Sequence, residues 1–259
     1  MPYAIPNIRI ENPAATAHAR IGWLRSVNNI QHAFASQSFI AEVAQSLGKD
    51  HRDYLLELLG TDRLINPTSI SDTFNHGESP ERYPINTARL RKVIERVTME
   101  AKWGRKMPAG QGLGLAAHYS FVTYMAAVAE VSVNAKGELS IPRIDVAVDC
   151  GPQVNPDRIR SQIEGACIMG MSQSLLSEIT FKNGRVEQGN FHQFEVTRMS
   201  LAPKKIVVHI MPATYDMPLG GVGEPGVPVI APALMNAINS ATGKRIRQLP
   251  LRDQLSSPA

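Results

Sequence analysis

Gly220-Gly221-Val222-Gly223-Glu224-Pro225-Gly226 runs directly into Val227-Pro228-Val229-Ile230-Ala231-Pro232-Ala233-Leu234. One carboxylate, Glu224, lies in a run of glycine and proline that leads into an apolar helix. Glycine opens backbone conformations closed to other residues and lets a ligand approach closely. Pro225 fixes its own φ and pushes Glu224 toward an extended conformation. A helix starting downstream aims its free N–H groups toward the loop. On these residues alone two readings stand: a glycine-rich turn with an exposed Glu, or a loop that holds one carboxylate in place.

The segments around this loop set the fold class. The last helix spans roughly 229–241 and Gly243 ends it, while 205–211 (Lys-Ile-Val-Val-His-Ile-Met) reads as a strand. Ile179–Lys182 and Val186–Gln188 form a hairpin about Asn183-Gly184. Asn155-Pro156-Asp157 signals a helix start, with a cap, a proline at the first position and an acid in the first turn. That helix runs to about Leu176, with Ile159, Ile163, Ala166, Cys167 and Gly170 on its apolar face. Residues 139–149 read as a strand returning from a turn at Asn134–Gly137, and Pro142 within it points to an edge or a bulge. Residues 112–133 alternate imperfectly and are β-rich. Farther upstream, Phe39, Ile40, Val43, Ala44 and Leu47 recur at helical spacing up to Gly48. Residues 51–59 make a short helix closed by Gly60. Thr87 caps a third helix with Leu90, Val93, Ile94, Val97 and Ala101 inward, and with Arg89, Arg91, Lys92 and Glu95 as its wet face. Residues 61–86 form a long polar connection, and 1–20 are extended. The sum is an α+β pattern of mixed and antiparallel strands, with helices packed on one side. The glycine-rich stretch Gly104–Gly114 is the expected boundary between a helical, mixed subdomain (1–110) and an α+β subdomain (111–259).

Bulk properties exclude several functions. The 259 residues suffice for a large core, and 43% apolar against 19% charged residues marks a globular chain. A net charge of +4 with dispersed basic residues argues against nucleic-acid binding. Two cysteines, Cys150 and Cys167, make neither a disulfide framework nor a zinc or iron–sulfur site. No apolar run is long enough to span a bilayer. The N-terminus lacks the basic and apolar regions of a signal peptide, so a cytoplasmic location is expected, with export alongside a partner as the other route. Among the seven histidines no pair has the i, i+4 spacing of a zinc hydrolase, so no protein-ligated metal is expected. Ser120 and Ser172 lack the Gly-x-Ser-x-Gly context of an elbow nucleophile. Gln111-Gly112-Leu113-Gly114 leads into a strand and is not a dinucleotide fingerprint.

Two more residues stand out beside Glu224. Arg25 follows Trp23 in a Gly/Ser/Asn-rich loop, where its planar fork could grip a carboxylate, a carbonyl or an aromatic ring; the alternative is a surface arginine. Gln162 lies two turns into the helix capped by Asn155, on a flank with Gly165 and Met169. Its amide donates and accepts, which suits a heterocycle; the alternative is a solvated helix glutamine.

Taken together, the motifs resemble the molybdenum hydroxylases, the xanthine oxidase and aldehyde oxidase family. Gly221-Val222-Gly223-Glu224-Pro225-Gly226 with its Pro-x-x-Ala-Pro-Ala helix is similar to that family's C-terminal signature. Trp23-Leu24-Arg25-Ser26-Val27, with the following Ala33-to-Glu42 stretch, resembles the arginine loop and helix. Val148-Asp149-Cys150-Gly151, Asn155-Pro156 and Gln162-x-Glu164-Gly165 resemble the segment that touches the pterin, and Asn190-Phe191-His192 also fits. The forms are most similar to the isoquinoline 1-oxidoreductase beta subunit branch, which includes membrane-associated bacterial aldehyde dehydrogenases.

The resemblance covers nearly the whole chain, but it matches only the second molybdopterin-binding domain of such a subunit. The Met-Gly-Gln-Gly-type motif of the first domain is not found here. What it implies is oxidation of an aldehyde or an N-heterocycle with water as the oxygen source. Glu224 would be the general base and Arg25 the residue that holds or polarises substrate. Gln162 and Gly223 would contact the cofactor, and Trp23 would wall the substrate pocket or else pack into the core. The implied cofactor is molybdopterin, with the cytosine dinucleotide as one form. The implied partners are a chain carrying the first domain, an iron–sulfur subunit and a cytochrome acceptor. Two rivals remain: a non-catalytic assembly module or inactive truncated paralogue, and a hydrolase pairing Glu224 with His118 or His192.

Overall fold

The computed structural model describes residues 2–11, 13–16, 20–70, 79 and 81–256. Along the chain come α1 (Asn29–Ser46), α2 (His51–Leu59), β1 (Leu64–Ile65), β2 (Ile85–Asn86) and α3 (Thr87–Glu100). Then follow β3 (Gln111–Ser120), β4 (Thr123–Val133), β5 (Leu139–Asp149) and α4 (Pro156–Leu175). The hairpin β6 (Phe181–Lys182) and β7 (Arg185–Val186), the strand β8 (Ile206–Ile210) and the helix α5 (Ile230–Thr242) complete the order. This is the expected α+β class. Part of the 61–86 connection, residues 71–78 and 80, lies outside the described residues.

The main sheet has the order β3-β4-β5-β8, antiparallel between β3, β4 and β5 and parallel between β5 and β8. Helices cover both of its faces, not one. The alternating positions of β4 explain this, because both sets are apolar. Met125, Ala127 and Ala129 join one core with α4 and α5, while Tyr124, Ala126 and Val128 join a second with α2 and α3. A strand buried on both faces loses its polar alternation. The second core draws on α2, α3 and the sheet together.

Pro142 does not mark an edge strand, since β5 lies between β4 and β8. It falls at a bulge, where the pairing register shifts between Glu130 and Ser132. A bulge is the place where a strand can lose one donor without losing its partner.

The cap of α3 is Asn86, not Thr87; the Asn86 side chain accepts from the N–H groups of Ala88 and Arg89. Arg89 does not belong to a wet face. It is buried, and it forms a two-point pair with Asp149 of β5, Nε to Oδ2 at 2.8 Å and Nη2 to Oδ1 at 2.6 Å. Its guanidinium stands 4.6 Å from the centre of the Tyr124 ring. A carboxylate 60 residues away in sequence draws this arginine in, which helix periodicity alone cannot reveal. In α1 the buried positions are Ala33, Gln37, Ile40, Ala41 and Ala44, while Phe39 and Leu47 are exposed.

The helix α5 is buried at every position from Ile230 to Ile238, as expected for a helix apolar all round. Gly112 and Gly114 let it lie directly on β3. A Cβ on Gly112 would come 2.5 Å from Ala237 O, and one on Gly114 would come 2.8 Å from Ala237 Cα. These glycines therefore serve helix-to-strand contact. The buried Asn236 is satisfied on both ends, donating to Leu115 O (3.1 Å) and accepting from Arg245 (2.9 Å).

Candidate functional site

Three segments far apart in sequence meet at one place: the loop before α1, the first half of α4, and the loop before α5. Each is held by its own set of contacts. In the first, Ser26 and Val27 adopt left-handed backbones with φ of 75° and 49°. Side-chain-bearing residues rarely take this conformation. It turns the chain sharply, with Val27 N–H bonded to Leu24 O (2.8 Å) and Asn29 N–H to Ser26 O (3.0 Å).

In α4, the Asn155 side chain caps the helix by accepting from Asp157 and Arg158 N–H, each at 3.1 Å. Ile159, Ile163, Ala166 and Cys167 turn inward, and all are buried. Burial also pushes the Cys167 thiol up to about 12, so this cysteine is packing material. Gln162 is left on the exposed flank.

The loop before α5 is gripped by the β3–β4 turn. Gly221 N–H donates to Phe121 O (2.8 Å), and the Thr123 hydroxyl donates to Gly221 O (2.6 Å). Gly220 N–H donates to Cys150 O (2.8 Å), and a Cβ on Gly220 would come 2.6 Å from Val122 O. At the other end Gly226 is packed so closely on α4 that a Cβ would lie 2.7 Å from that of Ala166.

Arg25 ties the three together. Its Nε donates to Gly223 O (2.5 Å), and its Nη2 donates to Gln162 O (3.0 Å) and Gln162 Oε1 (3.2 Å). Partial burial lowers this guanidinium below its ordinary value and the Glu224 charge opposes that; an arginine stays charged regardless. Glu224 is held by the neighbour of Arg25. Ser26 N–H donates to Glu224 Oε2 at 2.8 Å, and the Ser26 hydroxyl donates to Glu224 O at 2.6 Å.

Of the five residues singled out from sequence, Arg25, Gln162, Gly223 and Glu224 are thus brought together. Trp23 is not part of the cluster; it is 92% exposed. Ser26 was missed as a site residue. Its sequence signal was only its place beside Arg25, because nothing local announces a left-handed serine.

The cluster is open on one side. A Cβ on Gly223 would meet nothing within 4 Å. Gln162 spends its carbonyl on Arg25, which fixes the amide's orientation, and its Nε2 has no acceptor among the described residues. An open glycine backbone beside two oriented amide donors fits a flat ligand rich in nitrogen and oxygen acceptors, such as a pterin. Among the described residues no group of three His, Cys, Asp or Glu could hold a metal ion. A metal here would arrive with ligands of its own.

Residues 79–203 match the model of the molybdopterin cofactor-binding domain. Over 258 residues the chain is 29% identical to isoquinoline 1-oxidoreductase subunit beta of Brevundimonas diminuta, covering 98% of this chain and 29% of that protein. Over 250 residues it is 31% identical to the membrane-bound aldehyde dehydrogenase of Gluconacetobacter polyoxogenes, covering 94% of this chain and 30% of that protein. The latter's name specifies pyrroloquinoline quinone. The chain therefore spans about three-tenths of the length of these two curated relatives. The aldehyde oxidoreductase of Desulfovibrio gigas shares the fold, with a TM-score of 0.62 at 13% identity over 90% of this chain and 41% of that one. Family model and relatives agree with the motifs: the chain carries a molybdopterin cofactor-binding domain over residues 79–203 and is similar to molybdenum-hydroxylase subunits over nearly its whole length.

Proposed function

We propose that this chain supplies one part of the active site of a molybdenum hydroxylase, which oxidises an aldehyde or an N-heterocycle with water as the oxygen source. A first molybdopterin-binding domain, carried by a partner chain, supplies the rest. The observation that supports this most is the meeting of Arg25, Gln162, Gly223 and Glu224 from segments 137 and 198 residues apart. The cofactor, when bound, takes up the two electrons of the oxidation and supplies the oxygen-transfer chemistry.

The chain's own residues do the rest. Gln162 hydrogen-bonds the pterin, and Gly223 lets it lie against the backbone. Glu224, held in its loop, takes the proton as general base. Arg25 fixes Glu224's loop to α4 and directs its positive charge to the substrate side. Trp23, exposed in this chain, closes the substrate pocket only when the partner domain is present. An iron–sulfur subunit and a cytochrome carry the electrons away, and the cytosine dinucleotide is one form of the cofactor.

Among the described residues no helix is long and apolar enough to cross a membrane. The second reading is a non-catalytic assembly module. Turnover by the complex decides between them. Metal analysis of the same complex separates molybdopterin from the quinone named for one relative.

In the assembled complex Glu224→Gln lowers turnover about 100-fold or more, the scale of losing a general base, while molybdenum content is unchanged. Near-normal turnover of that variant refutes the assignment of Glu224.

A further inference from the structure

Ser26 is fully buried (0% exposed) although it is polar, and it holds a left-handed backbone although it is not glycine. Such a combination persists only where the surroundings over-determine it. What surrounds it is Glu224. Two hydrogen bonds join the pair across 198 residues, one to the side chain and one to the main chain. Val227 N–H also reaches the Glu224 carbonyl, at 3.2 Å. The two carboxylate oxygens are therefore unlike. Oε2 accepts from Ser26 N–H, while Oε1 accepts from no donor among the described residues.

We propose that Ser26 is the positioning residue of the site: its N–H holds Glu224 Oε2, its hydroxyl holds the Glu224 carbonyl, and Oε1 is left as the oxygen that takes the proton. This rests on the reading of Glu224 as the base. In the step, an O–H bond of the water-derived nucleophile breaks and an Oε1–H bond forms. The electron pair stays on the nucleophile's oxygen, and the proton later leaves to solvent. The left-handed turn matters because it presents the Ser26 N–H and the Arg25 side chain to the same loop. Arg25 binds Gly223 O one residue before Glu224, so two consecutive residues fix two consecutive residues. A base held by both its main chain and one oxygen has little freedom to rotate its remaining oxygen away from the reacting atom.

Two measurements on the assembled complex test this. In the first, Ser26→Ala and Glu224→Gln are compared for kcat, KM and molybdenum content. Ser26→Ala is expected to lower kcat about tenfold, equivalent to about 1.4 kcal/mol, with KM and molybdenum within twofold of the parent. Ser26→Ala keeps the backbone N–H, so an unchanged kcat beside a large loss in Glu224→Gln overturns the part given to the Ser26 hydroxyl and leaves Glu224 as base. Parallel loss of kcat and molybdenum in Ser26→Ala overturns it in favour of a scaffolding role. Full turnover by Glu224→Gln overturns the base reading and the proposal with it. The second measurement needs no turnover and no Ser26 variant. Glu224→Ala removes the acceptor, so hydrogen exchange at the Ser26 amide is expected to rise about tenfold while α5 amides stay protected. Unaltered exchange at Ser26 overturns the proposal even if Ser26→Ala fails to fold.

Discussion

Replacing Arg89 with methionine isolates the buried pair that joins α3 to β5. The side chains of Arg89 and Asp149 are only 8% and 6% exposed, and two short hydrogen bonds link them. Methionine keeps most of the volume over the Tyr124 ring but leaves the Asp149 carboxylate buried without its counter-charge. Breaking a buried pair from one side costs about 3–5 kcal/mol. With a urea slope of about 3 kcal/mol per molar for a chain of this size, the unfolding midpoint falls by about 1–1.7 M. The double variant Arg89→Met, Asp149→Leu removes both charges, and it should recover at least half of that loss, since two apolar groups carry no desolvation penalty. It still forfeits the bond from Gly151 N–H to Asp149 Oδ1, worth about 1 kcal/mol. The site should respond as well, because Cys150, the next residue, accepts from Gly220 at the base of the Glu224 loop. Urea denaturation followed by circular dichroism reads the midpoints. A single variant within about 0.3 M of the parent, roughly 1 kcal/mol on the same slope, would refute the claim that this pair is buried and mutually dependent.

Two further outcomes follow from the packing and the histidines. Gly114→Ala forces a methyl group into the backbone of α5, where overpacking costs about 3 kcal/mol; calorimetry should show a fall of roughly 6–12 °C in Tm. Gly22→Ala, which meets nothing within 4 Å, should stay within about 0.5 kcal/mol of the parent, and equal effects at the two positions would sink the close-approach argument. Burial holds the His51 and His118 imidazoles down to about 4, from an ordinary value of 6.5. The unfolded chain therefore binds protons that the folded chain refuses, so stability is full above about pH 6.5 and declines as pH falls toward 4. Urea midpoints measured from pH 7 to pH 4.5 should drop accordingly, and His118→Gln should flatten part of the slope; a flat profile in the parent contradicts the burial of both rings.

Much of the chain could be read from sequence because its signals are local. The Asn155 cap with Pro156, the Asn183-Gly184 turn and the Gly243 stop each depend on a few neighbouring backbone groups, and all appear at those places. The order of Arg25, Gln162 and Glu224 was legible as well, since each lies in a short motif. Other features were not. Thr87 and Asn86 are both good caps, and only the observed backbone shows that Asn86 reaches the free N–H groups. The apolar stripe of α1 was drawn through Phe39 and Leu47, yet the positions buried where α1 packs on α5, α2 and β3 include the smaller Ala33, Ala41 and Ala44.

Sequence by itself determined the α+β class and the places of the main helices and strands, because periodicity, caps and glycine-proline loops act over a few residues. Tertiary structure alone decided that Arg25 spends its fork on Gly223 and Gln162, that Ser26 holds Glu224, and that Trp23 stands clear of both. The reason is that a charged or polar side chain settles where its partner lies after the chain has closed. For Arg25 and Ser26 that partner is up to 198 residues away.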